Sequence, residues 1–168
     1  MSYRTLILFG GNFQQTQRLF VKALDLIGQQ MGTVKDRSAL YKSAPWGFEA
    51  QMDFLNMVAE VDTILSPEQQ LEVLLNIEKE LGRNRKCHEG YESRGIDLDI
   101  LFIDNLVVDL PQLTVPHPRL HLRRFTLVPL CEKWRQWIHP VLNKPISALL
   151  DSCSDEGVVE LAHQSLAP

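Results

Sequence analysis

Cysteine is scarce in this chain and forms no pattern. The 168 residues hold three, Cys87, Cys131 and Cys153, odd in number, far apart and without a C-x-x-C pair. That excludes a disulfide framework and points to a reducing compartment, the cytoplasm. Long apolar runs are lacking too. No stretch approaches the roughly 20 residues of a membrane span, and the opening M-S-Y-R-T lacks the charged-then-apolar plan of a signal peptide. A soluble, unprocessed chain with no membrane partner is expected. Neither G-x-x-x-x-G-K-[ST] nor G-x-G-x-x-G occurs, so a P-loop and a dinucleotide fold are unsupported. Positive charge is not in excess: 17 Lys and Arg stand against 21 Asp and Glu, a net charge of -4. With a sequence pI near 5.7, a nucleic-acid partner is not expected.

What is present describes one domain over residues 1–168, with 45% hydrophobic residues. A chain of this length buries roughly 70% of its unfolded surface, so its core needs no staple. Tyr3 to Gly10 reads as a buried strand closed by Gly10-Gly11-Asn12. Phe20, Ala23, Leu24, Ile27 and Met31 then fall at helical spacing, predicting an amphipathic helix over Gln15 to Met31. Thr33 to Tyr41 and Phe54 to Thr63 read as strands, separated by the breaker Ser43-Ala44-Pro45-Trp46-Gly47. Ser66-Pro67-Glu68-Gln69 opens a second helix, with Ser66 as N-cap, Pro67 in the first turn and Gln69 completing a capping box. Leu71, Leu74, Leu75 and Leu81 form its buried face, Ile77 lies near the edge, and Gly82 stops it.

Residues 83–94 carry no apolar period, and Gly95 to Ile103 is a strongly apolar strand. The order strand, helix, strand, strand, helix, strand predicts an α+β fold, ferredoxin-like βαββαβ, with helices packed on a mainly antiparallel sheet. A C-terminal extension follows. Asp104-Asn105 is a turn before a short strand at Leu106 to Val108. Pro111, Pro116 and Pro118 punctuate a loop, Arg119 to Cys131 is predicted helical, and Pro145 to Leu150 opens a last short helix. The tail from Ser152 carries no pattern.

The chemistry concentrates at G-I-D-L-D-I-L-F, Gly95 to Phe102. Alternation puts Ile96, Leu98, Ile100 and Phe102 on one face and Asp97 with Asp99 on the other, about 6.6 Å apart. At that separation two carboxylates repel by roughly 2.5 kcal/mol at an effective dielectric of 20. An all-oxygen pair suits magnesium, which takes one or two carboxylates plus substrate phosphates; a solvated strand face is the competing explanation. Arg83, Arg85, Lys86 and Arg94 precede the pair, and Arg119, Arg123 and Arg124 follow it. Arginine grips phosphate oxygens through paired N–H groups, so acid pair and basic clusters together favour phosphate chemistry. Phe54 and Asn56, two apart on one strand face, could offer a flat heterocycle a stacking surface and an amide, although a core Phe is the commoner reading; the same holds for Phe125. Trp46 lies in a Pro-Gly loop, where functional groups concentrate. His117 and His121 would align on a helix, but no third ligand marks a zinc site, and Cys87 has no partners that would make it a nucleophile.

Six segments in order, F-G-G-N (9–12), Y-K-S-A-P-W-G (41–47), F-L-N (54–56), I-E-K-E-L-G-R-N-R (77–85), R-G-I-D-L-D-I-L (94–101) and V-P-H-P-R-L-H-L-R-R-F (115–125), resemble the hydroxymethyl-dihydropterin pyrophosphokinases of folate biosynthesis. The resemblance covers about residues 3 to 150. It implies transfer of an intact diphosphate from ATP to the pterin hydroxymethyl oxygen, releasing AMP, with two magnesium ions held by Asp97 and Asp99. It implies that Arg83 and Arg94 clamp the phosphates, that Arg85 and Lys86 belong to a closing loop, and that His117 and Arg123 contact ATP. Glu78 matches an acid near the nucleotide and metal region, with a surface acid as the alternative. Phe54 and Phe125 would sandwich the pterin, Asn56 would bond its amide-like edge, and backbone groups at Ala44 and Trp46, with the Ser43 hydroxyl, would complete the pocket. A proton acceptor, and a pathway partner such as the downstream dihydropteroate synthase, stay open.

Three positions depart from the family's usual pattern. Gly10-Gly11-Asn12 replaces G-S-N, Glu92-Ser93-Arg94 replaces G-P-R, and Phe54 replaces Tyr. Loss of the loop proline is expected to loosen that segment. Two other functions stay in competition. A phosphotransferase moving one phosphoryl group would release ADP, and a non-catalytic ferredoxin-like binding module would turn over nothing.

Overall fold

The first strand has apolar residues at successive positions, so both of its faces must be covered. In the computed structural model, which describes residues 1–12, 15–44, 53–82, 95–162 and 166, they are. Strand β1 (Tyr3–Gly11) sends Ile7 and Phe9 into one core and Leu6 and Leu8 into another. The first core lies under helices α1 (Thr16–Gln30) and α2 (Pro67–Glu80), which bury Phe20, Ala23 and Ile27 and Leu74 and Ile77. Phe9 and Phe20 meet edge to face at 5.5 Å. The second core lies under α3 (Arg124–Trp134) and α4 (Ile146–Asp151), through Leu127, Leu130, Trp134, Ile146 and Leu149. Each fully buried aliphatic or aromatic side chain contributes about 1.5–3 kcal/mol, so a sheet clothed on both faces holds without covalent staples.

Between the helix layers, β2 (Thr33–Arg37), β3 (Tyr41–Ser43), β4 (Phe54–Thr63) and β5 (Asp97–Ile103) join β1 in an antiparallel sheet. The strand expected over Thr33 to Tyr41 is broken: β2 forms its first part, and β3 begins at Tyr41 and runs into Ser43, the start of the expected breaker. Both pair with β4, and Ser38 interrupts them: its N–H donates to the Val58 carbonyl at 2.8 Å and its Oγ accepts the Val58 N–H at 3.0 Å. With these pieces taken as one strand, the order is β2/β3, β4, β1, β5, the ferredoxin-like arrangement. The hairpins β6 (Val108–Leu110) with β7 (Leu113–Val115) and β8 (Ile138–His139) with β9 (Lys144–Pro145) follow, and β10 (Val159–Leu161) returns to pair with β3.

The α2 start is the capped turn that the sequence predicts. Ser66 Oγ accepts the Gln69 N–H, and Gln69 Oε1 accepts the Ser66 N–H. Its end is set by Gly82, whose φ of +101° suits a residue without Cβ. The buried face is rotated from expectation: Ile77 is central, with Gln70, Leu74 and Glu78, while Leu71 and Leu75 are half-buried. Phe102 also changes sides. A register irregularity between β1 and β5 pairs Leu6 with Phe102 but Ile7 with Ile100, so Phe102 joins the α3/α4 core while Ile96, Leu98 and Ile100 face α1 and α2.

Three further expectations are corrected. The short strand starts at Val108 rather than Leu106. The supposed proline loop contains β7, because Pro111-Gln112 makes a two-residue turn between Leu110 and Leu113. The helix expected from Arg119 is a 3-10 turn at Leu120–Leu122, an extended Arg123 (φ -120°, ψ 108°) and then α3. His117 and His121 therefore do not share a helical face.

Helix α3 is tied down by polar contacts as well as by its core. Trp134 Nε1 donates to Glu60 on β4 at 2.6 Å, and Arg4 reaches the same carboxylate with two nitrogens at 3.1 Å. Burial pulls the Glu60 pKa upward, but the bonds from Arg4 and Trp134 outweigh it and hold the carboxyl below its ordinary value. The Glu132 carboxylate accepts the Ala39 N–H at 3.1 Å and the Tyr41 hydroxyl at 2.7 Å. Burial, aided by that carboxylate, pushes the Tyr41 pKa up to about 12, so its hydroxyl stays a donor at neutral pH.

Candidate active site

Strand register assembles the site. Tyr41 pairs with Asn56, Asn56 with Gly10, and Gly10 with Asp97, so four residues form one row across β3, β4, β1 and β5. Paired residues of antiparallel strands point to the same face. This face is the one that packs α3, since Leu8, which neighbours Asp99 and Val58 in the next row, belongs to the α3/α4 core. Adjacent strands lie about 4.8 Å apart, so Asn56 and Asp97 are separated by about 10 Å across a residue with no side chain. Among the described residues, an added Cβ at Gly10 would have Asn56 Oδ1, at 3.8 Å, as its neighbour within 4 Å. Along this row a position without a side chain, Gly10, separates an amide on one neighbouring strand from a carboxylate on the other.

The amide end is pre-set. Asn56 is buried, and its Nδ2 donates to Ser43 Oγ at 2.8 Å across the β3/β4 pair. Phe54, half-buried, pairs with Ser43 on the same face, and Ala44 is exposed at the end of β3. Phe125, half-buried near the start of α3, packs against the second core, and the Arg123 guanidinium lies 5.6 Å from its ring centroid.

At the acid end, Asp97 and Asp99 are both half-buried on β5. β5 is the sheet's edge strand, where outward N–H groups lack a ladder partner. Glu78 of α2 supplies one: its Oε1 accepts the Leu98 N–H, between the two aspartates, at 2.8 Å. Glu78 is 3% exposed, so the surface-acid alternative is excluded. Facing the pair, burial pushes the Arg123 pKa below its ordinary value; Asp99 opposes that shift and Arg119 adds to it.

His117 is tied to the same strand, its N–H donating to the Leu101 carbonyl at 2.9 Å. Burial first, then Arg123 and Arg119, push its pKa down to about 4. Its Nδ1 accepts the Arg119 N–H at 3.1 Å, which leaves the proton on Nε2. His117 is thus a neutral N–H donor at pH 7. His121 faces His139 at 6.2 Å instead.

Of the residues singled out from sequence, Ser43, Phe54, Asn56, Asp97 and Asp99 share this sheet face, Arg123, just before α3, feels the Asp99 charge and lies over Phe125, which packs on the core of the same face, and Glu78 and His117 bond to β5. Arg83, Arg85, Lys86, Cys87, Arg94 and Trp46 lie outside the described residues. Gly10 was read only as part of a turn; a glycine within an apolar strand was the signal of a close approach there. Among the described residues no cluster of three or more His, Cys, Asp or Glu could hold a metal. Two carboxylates fit a cation that completes its shell with phosphate oxygens and water, as magnesium does, and not a closed all-protein site. Among those residues, too, no helix is long and apolar enough to cross a membrane.

Comparison with known proteins identifies the family. The family "7,8-dihydro-6-hydroxymethylpterin-pyrophosphokinase (HPPK)" matches residues 6–134. The chain is 40% identical over 131 residues, 77% of each chain, to the 2-amino-4-hydroxy-6-hydroxymethyldihydropteridine pyrophosphokinase of Bacillus subtilis. It is 36% identical to the Porphyromonas gingivalis protein of that name, over 81% of this chain and 93% of that one. In structure it resembles the Plasmodium falciparum HPPK-DHPS protein solved with pteroate, at TM-score 0.73 and 16% identity, over 90% of this chain. It spans only 42% of that longer chain, and the likeness concerns the fold. On the family match and the identities to these relatives, the chain belongs to the 7,8-dihydro-6-hydroxymethylpterin-pyrophosphokinase family.

Proposed function

We propose that the row Asn56, Gly10, Asp97 is the floor on which this chain carries out its family's reaction, transfer of diphosphate from ATP to the hydroxymethyl group of 6-hydroxymethyl-7,8-dihydropterin with release of AMP. The observation that carries the reading is the row itself, in which Gly10, without a side chain, lies between the buried Asn56 amide and the Asp97 carboxylate. A flat heterocycle laid there meets a buried amide at one end and directs a substituent toward the acid pair at the other.

In this reading Asn56 and the Ser43 hydroxyl bond the amide-like edge of the pterin, with backbone groups of Ala44 and Trp46 closing the rim. Phe54 and Phe125 stack on the ring faces. Stacking and hydrogen bonding fix the hydroxymethyl oxygen, and that orientation is worth most when the oxygen lies in line with the bond from the β-phosphorus to the AMP oxygen. Asp97 and Asp99 hold two magnesium ions, which supply charge neutralisation of the phosphate oxygens when bound. Arg123 and the neutral His117 Nε2–H donate to phosphate oxygens from the α3 side, while Arg83, Arg85, Lys86 and Arg94 bring cations from the segment before β5. Positioned donors of this kind stabilise charge as it develops in transfer. Glu78, by holding the Leu98 N–H, fixes the strand from which both aspartates project.

Two wider readings accompany it. A cytoplasmic location is supported by the scarce, unpatterned cysteines, of which Cys131 and Cys153 are free. The HPPK-DHPS proteins that this fold resembles suggest dihydropteroate synthase as the enzyme that takes the product onward.

The test is to incubate the protein with ATP, magnesium and the hydroxymethyl-dihydropterin and quantify AMP and ADP by chromatography, with pterin omitted as control. Pterin-dependent AMP is expected. Asp97→Asn and Asp99→Asn should each lower turnover at least about a thousandfold while circular dichroism stays native. ADP as product, or near-wild-type turnover in either variant, would sink the assignment.

A further inference from the structure

Helix α3 begins without a cap of its own. Arg123, the residue before it, is extended and makes no side-chain hydrogen bond to the first turn. The bond comes from 31 residues further along: Asp155 Oδ2 accepts the Arg124 N–H at 2.9 Å. The other oxygen of the same carboxylate accepts the Gly157 N–H, also at 2.9 Å, so Asp155 is held in a turn of its own while it caps the helix. A carboxylate at this position satisfies a first-turn N–H and complements the positive end of the helix. The next residue along the helix is Phe125.

The same tail reaches the other wall of the pocket. β10 pairs Val159 with Ser43, Glu160 with Lys42 and Leu161 with Tyr41, and the Ala162 N–H donates to the Leu40 carbonyl at 2.8 Å. β3 has only three residues, and without β10 it would be a short sheet edge. Cys153 packs against the core that also receives Phe125, anchoring the tail between the two contacts. The tail residues that make these contacts, 153–162, lie beyond residue 134, where the family model's match ends.

We infer that the C-terminal segment 153–162 is a positioning element for the pterin pocket, with Asp155 as its main positioning residue: it sets the start of α3, hence Phe125, while β10 steadies Ser43 beside Asn56. The inference rests on the reading of Phe125 and Ser43 as pocket walls.

The test compares Asp155→Ala with Asp155→Asn, which keeps an acceptor oxygen. Calorimetric titration of pterin is run with magnesium and a non-hydrolysable ATP analogue present. Asp155→Ala should weaken pterin binding about fivefold to tenfold, the effect of losing a cap, with analogue binding and kcat changed less than about twofold and Asp155→Asn close to wild type. A second readout uses no ligand: amide exchange at Arg124, Phe125 and Thr126 should accelerate severalfold in Asp155→Ala and not in Asp155→Asn. Unchanged exchange overturns the cap. A lowered melting temperature with unchanged pterin affinity overturns the positioning role and leaves a purely structural one. Wild-type protein that takes up no pterin overturns the pocket reading, while exchange still decides the cap.

Discussion

His117 allows a prediction with both a sign and a size. In the unfolded chain its pKa is 6.5, and in the folded protein it is pushed down to about 4, first by burial and then by Arg123 and Arg119. Between those values the unfolded state holds a proton that the folded state does not, so stability falls as pH falls from about 6.5 to about 4 and is flat on either side. The shift of roughly 2.5 units at about 1.4 kcal/mol each gives about 3.4 kcal/mol; partial exposure of the ring reduces this to about 2 kcal/mol. Urea unfolding of wild type and His117→Gln at steps from pH 7.5 to 4 isolates the contribution, because Gln does not titrate and every other titratable group is shared. The wild-type curve should descend about 2 kcal/mol more than the variant's across that window. Parallel curves would refute the account of a buried neutral imidazole, and with it the assignment of Nε2–H as a permanent donor.

Three further outcomes follow from single contacts. Asn56→Ala should weaken pterin binding about tenfold or more and leave ATP binding nearly unchanged, since Asn56 lies two strands away from the acid pair; equal losses in calorimetry would count against the proposed pocket. Glu78→Ala leaves the Leu98 N–H without its acceptor and should cost about 1–3 kcal/mol in urea unfolding, with Glu78→Gln milder; an unchanged midpoint in Glu78→Ala would show that β5 does not depend on this bond. Gly32→Ala would set a Cβ 2.1 Å from the Asp62 carbonyl oxygen, a backbone atom that cannot swing away, so a loss of at least about 2 kcal/mol is expected; wild-type thermal stability would contradict the packing of the α1–β2 junction.

The parts of the fold legible from sequence are those governed by neighbours along the chain. The α2 start was readable because Ser66, Pro67 and Gln69 act within one turn, and both halves of the capping box form. Strand alternation located Asp97 and Asp99 on a common face for the same reason: the period of two is a property of the strand itself. Where alternation failed, at Phe102, a bulge against Leu6 had intervened, and a bulge is a relation between two strands that neither sequence segment announces. The 3-10 turn before α3 failed similarly. Apolar spacing runs through Arg119 to Cys131, while the carboxylate that starts the helix at Arg124 belongs to Asp155.

Sequence separation therefore divides what could be foreseen at the site. Ser43, Phe54 and Asn56 share a face because β3 and β4 are consecutive strands of one antiparallel pair. Gly10 escaped notice because its value comes from what stands on either side of it, Asn56 from 46 positions later and Asp97 from 87. Neither partner needs glycine on its own account, yet in the proposed site a side chain between them would stand where the planar ligand is placed. The Ser-rich tail read as featureless for the same cause. Asp155 and Val159 carry no local pattern, and they acquire a role only when β10 closes on β3 and sets a carboxylate against the first turn of α3. A pocket floored by four strands and walled by a helix is specified mostly by such distant pairs, whereas the acid pair at its edge is specified by two residues of one strand.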